Sequence, residues 1–302
     1  MRVYMAATVG MSLLIMQALS SADFERSTEK VGNGRANWGA GYIEARGEGA
    51  YPPNTPQGQA RLMARRAAIA DAQRNLLETI NGVRLTAETR VRNFIVESDA
   101  IATRVEGILQ NAAVVSEKDK GNTYEVVMRV PMGSITALAI EASQSPERFE
   151  LSQDQVDNIF SPPAEVTIPA QPPRPRPQPS NIRPNPSKPY TGVIIDARGL
   201  DLRPCMSPKI RREDGSEVWG TLNVSPEVAI EYGIAAWLRD TKDLEHPAIR
   251  KRIGDNPMFL RAVGVAGAGR GDAVLKADDA QRLLEANPPT RFLEKLAVVF
   301  LY

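Results

Sequence analysis

The sequence predicts an α+β protein, with two small mixed modules of helices and β-sheet joined by a proline-rich linker. Three observations support this. The chain has 302 residues, enough for about two domains. Eleven of its 23 prolines fall within residues 161–190. On either side, short β-branched runs and helical patterns alternate irregularly, unlike the repeated strand–helix units of a doubly wound fold.

Residues 1–22 predict a signal peptide. Arg2 supplies the positive end, residues 3–19 form an apolar run, and the small residues Ser20 and Ala22 predict cleavage near Ala22. The run is shorter than the about 20 apolar residues of a bilayer span, and an uncleaved anchor is the alternative. We therefore expect an exported protein, located in the periplasm or the cell envelope.

The charge and cysteine content narrow the function classes. The 37 basic and 36 acidic residues nearly cancel, which argues against a nucleic-acid partner. Cys205 is the single cysteine, so the chain forms no intramolecular disulfide. Because Cys205 does not follow the apolar run, it cannot carry the lipid of a lipoprotein. The fold must be held together by its core.

The first module is expected over residues 38–160. Residues 38–51 predict a glycine-rich strand with weakly defined register, either an exposed edge for self-association or a paired inner strand. A long helix should start at Thr55-Pro56 and end at Asn81-Gly82. Its expected apolar stripe is Leu62, Ile69, Leu76 and Ile80, and the residues expected to allow close packing are the alanines at 64, 67, 68, 70 and 72.

Two further elements complete the prediction for this module. A short helix is expected from Ala100 to Gly107. A pair of strands should follow, with its turn at Lys120-Gly121-Asn122, because glycine and asparagine favour tight turns between apolar runs.

Residues 161–190 predict an extended polyproline spacer, because proline fixes φ and removes a backbone donor. Few apolar side chains are available to dock it, so we expect a mobile, protease-sensitive linker. The alternative is a docking segment for an SH3-like groove or an anionic wall polymer, through its basic residues Arg174, Arg176, Arg183 and Lys188.

The second module is expected over residues 191–302. Its predicted strands begin with Gly192 to Asp196 and end with a central apolar strand at Lys295 to Tyr302. Asp214-Gly215 predicts a hairpin turn. The other expected strands are 233–238, 258–267 and 272–277, and the expected helices start at Ser225 and cover 240–252 and 278–286.

Asp196 is the first candidate for chemistry, because a buried strand that ends in a carboxylate is a common way to build an active site. A phosphoaspartate hydrolase would need a second aspartate two residues later, where this chain has Arg198. A zinc site needs about three protein ligands, usually including histidines, and the only histidine is His246. We expect Asp196 to accept backbone N–H bonds in the following turn or to pair with Arg198.

Other motifs give weaker signals. The glycines at 264, 267, 269 and 271 could cradle a phosphate, but a strand pattern follows them where a helix is needed, so a hairpin loop is expected. Arg270-Gly271-Asp272 resembles an integrin-type tripeptide, which often occurs by chance. Cys205 is expected to be a buried thiol. We assign no catalytic, cofactor-binding or metal residues, expect no cofactor, and expect no enzyme activity.

The first module resembles the envelope lipoprotein family named for a twenty-kilodalton antigen of gastric bacteria. The resemblance rests on the Ala-Arg-Arg-Ala-Ala-Ile-Ala-Asp-Ala run at 64–72, Ile80-Asn81-Gly82, Val105-Glu106-Gly107 and Tyr124-Glu125-Val126. This module is also similar to flagellar assembly protein T and flagellar outer-membrane disc proteins. The second module looks like the region that accompanies it in long exported relatives. Unlike those lipoproteins, this chain lacks a lipidation cysteine.

The resemblance implies a non-enzymatic structural or interaction component of the periplasm or outer membrane, associated with the flagellum. Its expected partners are envelope or flagellar basal-body proteins and further copies of the chain, with outer-membrane contact made without a lipid anchor. Two alternatives come from other classes. One is a periplasmic cell-wall hydrolase centred on Asp196, and the other is a glycan-binding protein.

Overall fold

A computed structural model describes residues 24–160, 164–170, 182–220 and 224–302. The expected signal peptide and the prolines within 171–181 lie outside these residues. The described part confirms an α+β architecture of two modules. None of its helices combines the length and apolar character needed to span a bilayer.

The first module is one antiparallel sheet with helices. The sheet has the order β1-β2-β3-β5-β4. Its strands are β1 Thr28–Val31, β2 Gly34–Asn37, β3 Tyr42–Ala50, β4 Ala113–Asp119 and β5 Thr123–Pro131. Its helices are α1 Gln57–Gly82, α2 Val91–Ile95, α3 Asp99–Gln110, α4 Met132–Gln144 and α5 Gln153–Phe160. The expected hairpin at residues 120–122 and the short helix, α3, are confirmed, whereas β1, β2, α2, α4 and α5 were not foreseen.

Strand β3 is an inner strand. It pairs with β2 on one side and with β5 on the other, and Ile43 lies opposite both Ala36 and Val130. The hypothesis that residues 38–51 form a free edge is therefore wrong at Ile43, which is paired on both sides, although β2 covers only the Tyr42–Ala45 part of β3. The free edges of this sheet are β1 and β4.

Helix α1 packs on β3 through small residues on both sides. Its fully buried positions recur every four residues, as Ala60, Ala64, Ala68, Ala72, Leu76 and Ile80. A Cβ added to Gly47 would lie 2.7 Å from Ala72 Cα, and one added to Gly49 would lie 2.7 Å from Ala68 N. The glycines thus let the helix backbone approach the strand.

The sequence-based stripe of α1 needs one correction. Leu62 is 62% exposed, although we expected it to face the core. Three of the alanines that were expected only to allow close packing, Ala64, Ala68 and Ala72, form part of the buried stripe because the approach to β3 leaves no room for a larger side chain, whereas Ala67 and Ala70 are exposed. Helix α1 ends at Gly82 as predicted, but it starts at Gln57, so that Pro56 takes the N-cap position predicted for Thr55.

The second module contains two sheets. A parallel sheet has the order β10-β14-β7-β11, and a mixed sheet has the order β6-β12-β13-β8-β9. The strands are β6 Val166–Thr167, β7 Gly192–Asp196, β8 Ile210–Arg212, β9 Glu217–Trp219, β10 Ala236–Leu238, β11 Pro257–Arg261, β12 Gly264–Ala266, β13 Asp272–Leu275 and β14 Val298–Leu301. The helices are α6 Pro226–Tyr232, α7 Pro247–Ile253 and α8 Ala277–Ala286.

Several local predictions for this module are confirmed. Strand β7 has the expected bounds, and β14 lies at the centre of the parallel sheet, between β10 and β7. Ser225 caps α6 through its side chain, which accepts from Val228 N. The predicted strand at 258–267 divides between two sheets: β11 pairs with β7, whereas β12 pairs with β13.

The described ends of the proline-rich segment are packed on the second module. Val166 and Thr167 form the edge strand β6, which pairs with β12. Ile182 is buried in an apolar cluster, and Asn185 N donates to Asn256 Oδ1 at 2.7 Å. The expectation of a wholly mobile spacer over 161–190 is therefore wrong at both ends, while residues 171–181 lie outside the description.

The two modules share one continuous buried core, in which residues of both are in contact. A smaller apolar cluster on the other side of the parallel sheet includes Phe24 from the start of the first module. The described residues of the two modules therefore pack into one body.

Candidate functional site: the junction between the modules

A loop of the first module reaches into the second. Residues 83–91, here called the clasp loop, fold back on themselves: Val91 N donates to Val83 O at 3.0 Å, and Leu85 N donates to Thr89 O at 2.8 Å. The Thr86 hydroxyl accepts from Thr89 N at 3.0 Å. These bonds hold Ala87 at the tip of the loop.

The glycine-rich segment 267–271, here called the glycine socket, surrounds that tip. Gly269 N donates to Ala87 O at 2.6 Å. Cβ atoms added to Gly267 or Gly271 would lie 2.5 Å from Ala87 Cβ and 2.9 Å from Ala87 Cα, respectively. Only glycine leaves enough space here, so these residues serve contact between the modules.

Residues 204–207 of the second module lie beside the clasp loop and are hydrogen-bonded to it in the manner of two paired strands. Met206 N donates to Arg84 O at 3.0 Å, and Ser207 N donates to Leu85 O at 2.7 Å. The Arg84 guanidinium also crosses the junction, with Nε donating to Pro204 O at 2.7 Å. The backbone of the clasp loop is thus hydrogen-bonded to the second module on two sides.

The start of the described chain forms another contact. Phe24 is 5% exposed and packs with Ile182, its ring centroid 4.5 Å from that of His246. Arg239 N donates to Ser27 Oγ at 3.1 Å, and Arg26 is ion-paired with Asp240. We call residues 24–27 the N-terminal arm. It adds a large apolar side chain from the first module to the core of the second.

Helices α4 and α6 form the third contact. A Cβ on Gly133 would lie 2.9 Å from Ile230 O, so the start of α4 meets the backbone of α6 directly. At the other end of α4, Gln144 Nε2 donates to Val224 O at 3.0 Å. The junction is therefore held by the clasp loop, the N-terminal arm and a helix pair.

A cavity of about 60 Å³ lies at the junction. Its lining includes Trp38, Met132, Cys205, Trp237 and Arg252. Binding pockets for small organic ligands usually have volumes of about 300–1,000 Å³. At this volume the cavity is too small to enclose a glycan or a cofactor.

Asp196 occupies the position that the sequence predicted. Its carboxylate is 3% exposed and receives two bonds from Arg198, from Nε at 2.8 Å and from the second guanidinium nitrogen at 2.7 Å. Arg198 N also donates to it, at 3.2 Å. The same pair raises the pKa of Arg198. The expected structural role is confirmed, because both carboxylate oxygens are used to fix the turn after β7.

Asp272 forms a second buried pair, directly after the glycine socket. Arg211 Nε donates to its Oδ2 at 2.7 Å, and Lys209 N donates to its Oδ1 at 3.0 Å. Burial raises the pKa of Asp272 to about 6, although Arg211 and Lys209 act in the opposite direction. Because Asp272 is only 1% exposed, an integrin-type receptor could not reach its side chain.

The remaining candidate groups are separated from one another. Cys205 is buried, its Sγ lies 3.7 Å from Gly271 O, and burial raises the pKa of its thiol well above the usual range. His246 caps α7, where its Nδ1 accepts from Ala248 N at 3.2 Å. Within the described ranges, no group of three His, Cys, Asp or Glu side chains has the geometry of a metal site.

Comparison with known proteins identifies one region. Residues 192–302 match the family model described as Treponema pallidum Tp0624, second domain. The match covers just over a third of the chain and begins at β7. No curated protein matches the chain. The resemblance of residues 64–126 to envelope lipoproteins stays a prediction, since this match lies outside them.

Sequence reasoning found Asp196 and Cys205 but missed the junction itself. The spacing of the glycines at 267, 269 and 271 was visible, and alternating glycines beside a strand can also indicate close backbone approach. The sequence could not show which residue these glycines contact, because Ala87 lies 180 residues away from Gly267.

Proposed function

We propose that this protein is a non-enzymatic, exported component of the bacterial cell envelope, with a structural or interaction role in the periplasm. The observation that supports this most strongly is the junction, in which Ala87 is enclosed by the glycine socket and accepts a backbone hydrogen bond from Gly269. Such a joint sets the relative orientation of two modules, which is useful in a spacer or assembly part and unnecessary for a lone catalytic domain.

The state of Asp196 also favours this proposal over a hydrolase. A general base or nucleophile must reach the substrate directly or through one water. Here the carboxylate is 3% exposed and both of its oxygens accept bonds from Arg198 within the same turn. The position of Asp196 at the end of β7 is thus explained by its structural role in the turn.

The proposed partners are envelope or flagellar basal-body proteins, by resemblance of residues 40–140 to the lipoprotein and flagellar disc families. The lack of a lipidation cysteine favours a state bound to an assembly or to the outer membrane without an acyl anchor. Further copies of the chain are also proposed partners, although the inner position of β3 removes the strand that we expected to mediate contact.

The experiment compares location and chemistry in the same cells. Antibody detection after fractionation should place the chain with the envelope, and purified flagellar basal bodies should contain it if the flagellar part is right. Recovery only from the cytoplasm would refute the proposal. Recovery from envelopes but not from basal bodies would refute the flagellar association alone.

The Asp196→Asn variant separates the structural role from the hydrolase alternative. We expect a lower unfolding temperature, because the amide cannot sustain the paired bonds to Arg198, and no activity of either protein on purified peptidoglycan. Peptidoglycan release by the wild type that is lost in a well-folded Asp196→Asn variant would establish the hydrolase instead.

A further inference from the structure

Strand β6 covers one edge of the mixed sheet with very few contacts. It consists of Val166 and Thr167, which pair with β12. One further backbone bond follows, in which Gly267 N donates to Glu165 O at 3.1 Å. Without β6, the outer side of β12 would be an unpaired strand edge, which is a surface to which another extended segment can be added.

The edge of β12 is shaped to receive an extended segment. We call residues 264–267 the edge slot and residues 164–168 the linker segment. A Cβ added to Gly264 would lie 2.5 Å from Thr167 O and 3.1 Å from Ile168 Cγ1, so glycine at this position lets the linker segment approach. The residues of β12 are buried and uncharged, so they present none of the charged side chains that discourage pairing at an edge.

The linker segment buries little of its own surface. Val166 is half-buried, Thr167 is exposed, and Ile168 is 46% exposed. Burial of apolar surface is the main stabilising contribution to docking, so the segment is held largely by its backbone hydrogen bonds. A second segment of the same sequence would make the same contacts in the same slot.

The covalent anchors of the linker segment allow it to reach another copy. Phe160 is buried at the end of α5, and Ile182 is buried in the smaller apolar cluster. Twenty-one residues, 161–181, connect these two positions. Val166 is six residues from Phe160, so at about 3.3 Å per residue it can lie up to about 20 Å from that anchor. The edge slot of a neighbouring copy is within reach if it lies inside this distance.

We propose that the edge slot is a strand-addition site that receives the linker segment of a second copy of this chain, so that two copies exchange β6. This inference rests on the proposed role in an envelope assembly and assigns the surface through which copies meet. In strand addition, backbone hydrogen bonds supply the affinity and alternate side chains supply the fit. A reciprocal exchange gives a pair with two-fold symmetry, because each copy donates one segment and receives one.

The fit of its side chains favours the linker segment over an unrelated one. Ile168 lies over Gly264, and a Cβ added to Gly215 would lie 3.7 Å from Val166 Cγ2, so both aliphatic side chains are placed beside glycines. Pro169 follows directly and disfavours a helical conformation of Ile168, which prepares the segment for strand pairing. Every copy of the chain carries this segment.

The connection to the same chain sets the conditions for exchange. A tethered segment has an effective concentration of about a millimolar at its own slot. A single chain therefore keeps β6 in its own slot, which is the arrangement in the structure. Copies held side by side in an assembly reach comparable local concentrations, and exchange then joins them through the contacts that the single chain already makes.

The test separates the segment from the slot in two variants of the chain without residues 1–22. Because Glu165 is bonded to Gly267, the alternation of an antiparallel pair makes Thr167 the next residue bonded to β12. Thr167→Pro removes that donor and opens the slot, which gives an acceptor chain. Gly264→Ala places a Cβ against Thr167 O and blocks the slot, which gives a donor chain.

Sedimentation velocity then reports pairing between the two variants. We expect each variant alone to be a monomer and an equimolar mixture at about 0.5 mM, close to the effective concentration of the tether, to contain a heterodimer. The double variant Thr167→Pro with Gly264→Ala has neither a working segment nor an open slot. It should stay monomeric with either partner.

A labelled peptide measures the slot directly. The peptide PAEVTIPA reproduces residues 163–170. Fluorescence anisotropy should show that Thr167→Pro binds it about two- to tenfold more tightly than the wild type does, because one hydrogen bond fewer holds the competing segment. The peptide PAESTSPA, which lacks the aliphatic side chains, should bind more weakly.

Matched controls place the same new residues outside the contact. Ala170→Pro changes an exposed residue beyond β6, and Gly58→Ala adds a Cβ that meets nothing within 4 Å. Both should bind the peptide as the wild type does. Circular dichroism verifies that each variant is folded, and if Gly264→Ala unfolds, the peptide titration of Thr167→Pro still decides.

Three results would overturn the proposal. Thr167→Pro that does not bind the peptide would show that the slot does not accept strands from outside. Peptide binding without pairing of the two variants would assign the slot to a segment of another protein. Equal pairing by the double variant would locate the contact elsewhere. Any of these results, combined with recovery of the protein in envelopes, would refute the exchange and leave the proposed function standing.

Discussion

Two glycine-rich regions of this protein each allow another segment of the chain to approach closely. In β3, Gly47 and Gly49 let helix α1 approach the sheet of the first module. In the second module, the glycine socket lets the tip of the clasp loop enter. In both regions the glycines lie against alanines of the partner segment, and a side chain at the glycine positions would collide with those alanines.

The difference lies in what each contact joins. The β3 glycines join a helix and a strand of one module, so the contact belongs to the cooperative core of that module. The glycine socket joins two modules whose main sheets are complete without it. Glycines therefore stabilise the fold of the first module in β3 and the relative orientation of the two modules in the glycine socket.

Gly49→Val should abolish stable folding of the first module. The added side chain would meet backbone atoms of α1, including Ala68 N at 2.7 Å, and a helix cannot yield there without leaving the sheet. We expect a destabilisation above the 1–3 kcal/mol typical of overpacking. Circular dichroism during thermal unfolding measures it.

The control is Gly107→Ala, in the last turn of α3, where an added Cβ would meet nothing within 4 Å. It should raise stability by up to about 1 kcal/mol, because alanine has the higher helix propensity. A folded Gly49→Val variant with unchanged stability would show that the approach of α1 to β3 does not require glycine.

Phe24→Ala should release the N-terminal arm. Removing a buried phenylalanine side chain costs about 3 kcal/mol or more, and this one links the two modules. Hydrogen exchange should become faster at Arg239, whose amide donates to Ser27. Arg26→Ala, at a side chain that is 71% exposed, should have a much smaller effect. Wild-type protection at Arg239 would mean that the arm is held without Phe24.

Asp272→Asn should reveal a pH dependence beside the glycine socket. Because burial raises the folded-state pKa of Asp272 to about 6, its favourable contribution is complete below the unfolded pKa and is lost as the pH rises through about 6. The difference in unfolding free energy, wild type minus variant, should fall by about 2–3 kcal/mol between pH 4 and pH 7.

Asp214→Asn provides a control of opposite sign. Hydrogen bonds from Ser216 lower the pKa of Asp214, so the advantage of the wild type should grow as the pH rises. Denaturant unfolding at several pH values measures both slopes. If the Asp272 slope has the same sign as that of Asp214, the pair with Arg211 outweighs burial.

Gly269→Val should weaken the junction while leaving each module folded. Its side chain would collide with Ala87 O, and we expect a loss of about 1–3 kcal/mol. Calorimetry should show two separated transitions in place of one. Ala268→Val, an exposed residue of the same loop, should keep the single transition. A single, unshifted transition in Gly269→Val would show that the glycine socket does not set the relative orientation of the modules.

Sequence patterns predicted best where the deciding interactions are close along the chain. The turns at Gly121 and Gly215 require positive φ, which glycine adopts freely, and both turns are where the sequence places them. The pairing of Asp196 with Arg198 spans two residues and was predicted as well. Leu62 was mispredicted, and the sequence left open whether β3 is an edge or an inner strand, because both depend on what packs against them.

By itself, the sequence determined the α+β class, the presence of two modules, the apolar strands β7 and β14, and a chain that must fold without disulfides. These follow from composition, turn residues and short-range periodicity. Only the tertiary structure decided that Ala87 enters the glycine socket and that Phe24 reaches the second module. Such contacts depend on the fit of distant surfaces in three dimensions, and residue spacing along the chain carries no record of that fit.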